Sequence, residues 1–389
     1  MATIERVDLH RRSIPLRRPF VTAVRTALVV DVLLVEVSDS EGRHGWGEAP
    51  TSWRVTGESV EGVTAAITGP LREAIIGTSY DDPAAASDAL ERAAVRNSSA
   101  RMALDGALFD LAAQASGVTL ARYLGAEASA VRTDVTLSAA RSAPEGAALL
   151  RTALEYVDAG FDTLKVKAGA GGDDVRTLVD LRRAVGPRVS LRVDANQGWT
   201  PQRALEVIGA LEDAHVDLEF VEQPVHRDDL GGLAFVTHHS QTPVMADESV
   251  WTRRDLREIL RDRAVDMVNI KLAKTGGLRE ALALHRAARD AGLGVIIGCM
   301  AESHVGVGSA AALAAVVDSQ TSSPLAYDLD GGSGSRAVRC AVASATRDRV
   351  WSGDTCPVRA SPRSTTNPQP RADRPVTTDP LRPPGTLRS

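Results

Sequence analysis

Between Phe161 and Asp330 the chain repeats one pattern, a short apolar run that ends in a charged residue. The runs are Thr163-Leu-Lys165-Val-Lys167, Leu191-Arg-Val-Asp194, Phe220-Val-Glu222, Val244-Met-Ala-Asp247, Val268-Asn-Ile-Lys271 and Ile297-Gly-Cys-Met-Ala-Glu302. The steps from Lys167 to Asp194, Glu222, Asp247 and Lys271 are 27, 28, 25 and 24 residues. A parallel strand, its crossover helix and two loops take roughly 25 to 30 residues, so the spacing predicts successive βα units. Closed into a barrel, such units point all their C-terminal strand ends into one mouth. Arg132–Ser138 is the expected first strand and Pro324–Asp330 the eighth. Ser142-Ala-Pro-Glu145 has the form of a capping box opening the first barrel helix. Gly169–Gly172 carries neither the dinucleotide fingerprint nor the P-loop lysine and is expected to be a flexible βα loop.

Upstream the period changes. Thr3–Leu9 and Leu28–Val37 alternate, and Ser38–Gly42 reads as a turn before His44-Gly-Trp-Gly-Glu-Ala-Pro50, which predicts an antiparallel meander. From Ser59 to about Leu124 apolar residues recur three and four apart, as in Ala100–Ala113, and predict helices. Residues 1–125 are therefore an α+β domain and residues 126–331 the barrel. After Gly331 the character changes abruptly: residues 331–389 hold eight of the 19 prolines and ten arginines, with no lysine, glutamate, isoleucine or phenylalanine. Such a stretch cannot bury enough apolar surface to offset its ordering entropy, so residues 332–389 are expected to form a disordered tail.

At 389 residues and 43% hydrophobic composition the chain is long enough for two domains with sizeable cores. No apolar run reaches membrane-spanning length, and Met1-Ala-Thr-Ile-Glu5 does not open a signal peptide, so a cytoplasmic globular protein is expected. Cys299, Cys340 and Cys356 have neither disulfide nor zinc-ligand spacing. A formal charge of −5 gives no support to nucleic-acid binding.

The strand ends carry the candidate chemistry. Asp194, Glu222 and Asp247 offer three hard oxygen donors without nearby cysteine or histidine, a set suited to Mg²⁺ or Mn²⁺. Lys167 and Lys271, on the second and sixth strands, should approach a substrate carbon from opposite sides. A free lysine, with a pKa of about 10.4, is a poor base at neutral pH. Lys165 shares a strand face with Lys167, and its repulsion, with a nearby metal, is expected to lower the base towards the roughly 7 to 8 useful in catalysis. Alone, Lys-Val-Lys reads as an exposed strand face; beside three carboxylates and Lys271 the catalytic reading is favoured.

These residues carry a resemblance. Lys165-Val-Lys167, Asp194-Ala-Asn196, Glu222-Gln-Pro224, Asp247-Glu-Ser249, and Asn269-Ile-Lys271 with Thr275-Gly-Gly277 resemble the enolase superfamily, muconate lactonizing subgroup. Within it the chain most resembles the dipeptide epimerases of L-Ala-D/L-Glu type, through Arg18–Thr26, Gly45–Pro50, Val193–Trp199, Val221–Val225 and Asp328-Leu-Asp330. The resemblance implies an α/β fold, a modified TIM barrel of (β/α)₇β form closed by an N-terminal α+β capping domain. It also implies Mg²⁺-dependent 1,1-proton transfer through an enediolate, and a homo-oligomer is expected. By similarity Arg25 would pair with a glutamyl carboxylate and Asp328 with Asp330 would hold the dipeptide's ammonium group, roles that suit an arginine fork and an acidic pair. Glu302 is a secondary substrate-site candidate, and Asn196 and Glu248 would orient ligands and lysines. N-acylamino acid racemisation and muconate cycloisomerisation would keep lysines and metal without needing the Asp pair. A catalytically impaired, metal-binding member is the reading from another class, raised by the abnormal C-terminus. Family members continue past the eighth strand into an apolar, glycine-containing segment, and a reading-frame shift near codon 331 would account for its loss.

Overall fold

Three antiparallel strands open the chain, β1 (Ile4–Val21), β2 (Thr26–Asp39) and β3 (His44–Pro50), with β2 in the middle. The computed structural model describes residues 2–127, 131–322 and 325–331, and the backbone of residues 358–359. The expected meander is present, but its first strand runs on past Leu9. His10 to Pro15 still pair with Leu34 to Val29, forming a ribbon exposed enough to carry Arg11 and Arg12. Helices α1 (Val60–Ala66), α2 (Pro83–Ala93) and α3 (Ser98–Ala115) follow. Nearly every residue of α3 is buried, because it lies between β3 and the barrel. A Cβ at Gly45 or Gly47 would stand 2.1 or 1.8 Å from the carbonyl oxygens of Ala107 and Ala103, so these glycines let the helix lie flush on the strand.

The second domain is a parallel sheet in chain order: β4 (Val135–Leu137), β5 (Thr163–Lys167), β6 (Ser190–Asp194), β7 (Leu218–Glu222), β8 (Val244–Ala246), β9 (Met267–Lys271) and β10 (Gly294–Gly298). Helices α4 (Ala143–Asp158), α5 (Asp174–Val185), α6 (Pro201–Asp213), α7 (Leu230–His239), α8 (Arg253–Asp262), α9 (Leu278–Asp290) and α10 (His304–Asp318) each follow a strand. Tyr327 bridges Thr133 and Asp328 bridges Gly298, both parallel, so this segment joins the two sheet edges and closes the ring. It does so as two bridges rather than as the full strand expected; Pro324 lies outside the described residues. The expected first strand is likewise split, into Val131–Arg132 and β4.

Two local expectations are corrected. Ser142 makes no side-chain cap bond; Glu145 instead accepts from the Arg141 backbone (2.7 Å) and side chain, and a capping box forms at Thr252 and Asp255 on α8. The glycine-rich loop after β5 is a packed loop rather than a loose one. Gly169, with φ +74°, donates to Asp174, and a Cβ there would meet the Ala195 carbonyl oxygen at 2.8 Å. The cap is fastened to the barrel by a buried carboxylate of α3: Asp105 accepts from the Leu278 N–H at 2.5 Å, at the start of α9, and from the Ser87 hydroxyl. Among the described residues no helix is long and apolar enough to cross a membrane. The proposed tail, residues 332–389, lies outside the described residues apart from a backbone pairing of Val358–Arg359 with Val131–Arg132.

Candidate active site

Each expected charged residue arrives at the same barrel end because it stands at or just past the C-terminus of a buried parallel strand. Asp194, Glu222 and Asp247 are buried, with carboxylate oxygens within 4.8 Å of one another. Lys167 Nζ lies 2.5 Å from Asp194 Oδ2, and Lys271 Nζ donates to Asp247 Oδ2 at 2.8 Å. In the closed ring β5 and β9 are the second and sixth members, so the two lysines reach the carboxylates from opposite walls. Lys165 Nζ donates to Asp328 (2.8 Å), and stands 3.3 Å from Asp194 Oδ2 and 2.5 Å from Glu222 Oε2. That last contact is close but poorly aligned, leaving Glu222 Oε2 without a true hydrogen bond. Asn196 donates its backbone N–H to Asp194 (2.8 Å) and its amide to Glu248 (3.3 Å).

The electrostatics refine one expectation. Burial by itself lowers a lysine, yet the attraction of Asp328, Glu222, Asp194 and Asp134 holds Lys165 well above the ordinary lysine range. Lys271 is raised in the same way, burial being outweighed by Asp247 and Glu222. Two ammonium groups do share Asp194, but for Lys165 and Lys271 the surrounding carboxylates outweigh both burial and that repulsion. Burial raises the carboxylates, yet Lys167 and Lys165 bring Asp194 below its usual value, and Lys271 with Lys274 do the same for Asp247. Glu222 stays raised, by burial and then by Asp194. Three buried oxygen donors, one of them poorly aligned with the Lys165 ammonium beside it, fit a hard divalent cation.

Sequence reasoning missed several groups here. Lys274, one helical turn past Lys271, bonds to Asp247 Oδ1 (2.6 Å) and to the carbonyl oxygens of Asp247 and Asn269, fixing that carboxylate from behind. Asn269 donates to Glu222 Oε1 at 2.9 Å. Arg192, fully buried inside the barrel, bonds to Asp134 (2.8 Å) and Glu219 (2.5 Å) and stacks over Phe220. Its place two residues before Asp194, on the same strand face, was the one available signal. Buried Asp134 and Asp328 with half-buried Asp330 form a second acidic group, Asp330 accepting from the Thr136 N–H at 2.7 Å.

Glu302 is not brought into either group. It folds back to accept from the Met300 N–H (2.8 Å), and burial followed by the nearby Glu48 charge pushes its pKa up. Arg25 lines a cavity of about 520 Å³ with Leu28, Ser52, Trp53, Met300 and Ala301. The lysines and the three carboxylates are not part of its wall; Met300 and Ala301, just past β10, are where it meets the barrel. Arg25 donates to Ser52 Oγ at 3.0 Å, and burial lowers its guanidinium. Among the described residues no carboxylate pairs with it, whereas Arg18 pairs with Glu155 on the surface.

Residues 5–125 match the family model described as mandelate racemase/muconate lactonizing enzyme, N-terminal domain, and residues 148–351 match enolase C-terminal domain-like. The chain belongs to the mandelate racemase/muconate lactonizing enzyme family. Within this family it is 39% identical to the L-Ala-D/L-Glu epimerase of Bacillus subtilis, over 80% of this chain and 85% of that one. It is 38% identical to the hydrophobic dipeptide epimerase of Enterococcus faecalis, over 80% and 87% of the two chains. The dipeptide epimerase structure from Enterococcus faecalis complexed with Mg and L-Leu-L-Tyr superimposes with a TM-score of 0.81 at 36% identity, covering 86% of this chain and 92% of that one.

Proposed function

We propose that this chain is a Mg²⁺-dependent dipeptide epimerase, an isomerase that inverts one α-carbon by 1,1-proton transfer. The observation that carries the reading is the pair of lysines, Lys167 and Lys271, placed on opposite walls around one buried carboxylate group. Asp194, Glu222 and Asp247 would hold the metal, Mg²⁺ or in its place Mn²⁺. When bound, it stabilises negative charge on the substrate carboxylate as a Lewis acid and draws the carboxylates' field away from the lysines. One lysine removes the α-proton, an enediolate forms on the substrate, and the opposite lysine delivers a proton to the other face. Lys165, bonded to Asp328, sits where it can neutralise the enediolate and orient Asp328.

Arg25 favours the L-Ala-D/L-Glu type over an apolar preference: a partly buried guanidinium that no carboxylate among the described residues pairs with suits a glutamyl side chain. Asp328 and Asp330 suit a free amino terminus, which argues against N-acylamino acids and muconate as the main substrates. The test is incubation with L-Ala-L-Glu and a wider dipeptide panel in D₂O, with and without Mg²⁺, reading α-deuterium by mass spectrometry. Deuterium should enter one α-position only when metal is present. Lys167→Ala and Lys271→Ala should each abolish net epimerisation, with exchange surviving on the face of the remaining lysine. Wild-type turnover in either variant would sink the two-base assignment.

A further inference from the structure

We infer that Glu48, the acid of the Gly45-Trp-Gly-Glu-Ala-Pro50 stretch, is a positioning residue for substrate recognition. The inference rests on the reading of the Arg25 cavity as the place where the dipeptide side chains lie. Glu48 sits on β3 of the capping domain, yet its side chain is buried against the barrel. One oxygen accepts from the Ser303 N–H at 2.7 Å. The other accepts from the Ser303 hydroxyl and from the Gly306 N–H at 2.9 Å. A carboxylate of one domain thereby satisfies the open N–H groups at the start of α10 in the other.

What this contact holds is the five-residue turn between β10 and α10. The Cys299 N–H donates to the Asp328 carbonyl oxygen (3.0 Å) at one end of the turn, and Glu48 clamps Ser303 at the other. Between them stand Met300 and Ala301, the two barrel residues in the wall of the Arg25 cavity. Glu302 braces the turn from inside through the Met300 N–H, and it lies close over Gly306, where a Cβ would stand 2.3 Å from its Oε2 and require the carboxylate to shift. The capping domain thus supplies Arg25 to one wall of the cavity and, through Glu48, fixes the barrel's contribution to the other. Glu48 touches none of the candidate reacting groups, so its effect should fall on binding rather than on proton transfer.

The test compares Glu48→Ala and Glu48→Gln with Tyr80→Phe, which weakens the cap inside its own core, where the Tyr80 hydroxyl donates to Asp39 at 2.5 Å. For L-Ala-L-Glu, Glu48→Ala should raise KM about tenfold or more while kcat stays within about threefold, with Glu48→Gln in between. Tyr80→Phe should lower thermal stability without moving KM or the order of dipeptide preference. Hydrogen exchange of Met300–Gly306 reads the turn without needing turnover and should rise in both Glu48 variants but not in Tyr80→Phe. Should wild type epimerise no dipeptide, the proposed activity fails while the exchange result still decides whether Glu48 holds the turn. Unchanged exchange there, or a fall in stability with KM and substrate order as in wild type, would overturn the inference.

Discussion

Arg25 is the residue on which substrate choice turns. Its guanidinium has lost water to burial and is bonded only to Ser52 Oγ among the described residues, so a substrate carboxylate entering the cavity would gain a partner that the free protein lacks. Removing one partner of a buried charge pair costs roughly 3 to 5 kcal/mol, over a hundredfold in affinity. Arg25→Met should therefore cut kcat/KM for dipeptides with a C-terminal glutamate by about a hundredfold and improve the relative rate for apolar second residues. An unchanged ranking would return Arg25 to the exposed arginines around it. At this scale the lysines and the three carboxylates were legible in advance, because each ends an apolar run and the runs are evenly spaced. Glu48, Asp105 and Lys274 were not, since each is defined by a partner: Glu48 meets Ser303 and Asp105 meets Leu278, far away in the chain. Lys274 lacked any strand pattern, standing on the single helical turn that follows β9.

Between elements, the same device recurs on a second helix. Asp105 of α3 accepts from the N-terminal N–H of α9, and burial pushes its pKa up to about 6. The unfolded value is about 3.9, so the folded chain holds a proton that the unfolded chain has released between those two pH values. Stability from this group is thus greatest below about pH 4 and is lost as pH rises through 6. Asp105→Asn removes that titration, so the stability of the variant minus that of wild type should climb by about 2 kcal/mol between pH 4.5 and 7. Urea unfolding of both proteins across that range measures it, and a constant difference would mean Asp105 ionises as freely as in the unfolded chain. Helix and strand identities were readable where a period persisted. The exceptions have local causes: β1 outruns its alternating stretch because backbone pairing with β2 continues. Ser142 does not cap because Glu145 turns back to Arg141.

For the molecule as a whole, the composition break after Gly331 meets an exposed apolar surface on the cap. Leu28 and Val29 are 63% and 42% exposed on the part of β2 that β3 does not reach, and Trp53 beside the Arg25 cavity is 73% exposed. All three line the Arg25 cavity, so their exposure marks an open wall that a substrate or a packing segment would cover. The family's C-terminal model matches through residue 351, so the relation to the family continues past the ring-closing segment, while the Arg/Pro-rich composition sets in there. We propose a shift of reading frame near codon 331 as the source of the composition break and the exposed surface, the family match as far as residue 351 being the observation that speaks against it; such a shift would loosen the cap ribbon bearing Arg25 more than the barrel bearing the lysines. The expectation is that another frame of the gene beyond that codon encodes an apolar, glycine-containing segment. Restoring it should lower KM for the dipeptide with little change in the intrinsic proton-exchange rate, and residues 332–389 of the present chain should be cut early by protease. If neither alternative frame encodes such a segment, the frame-shift account is wrong and the Arg/Pro-rich stretch is this protein's own.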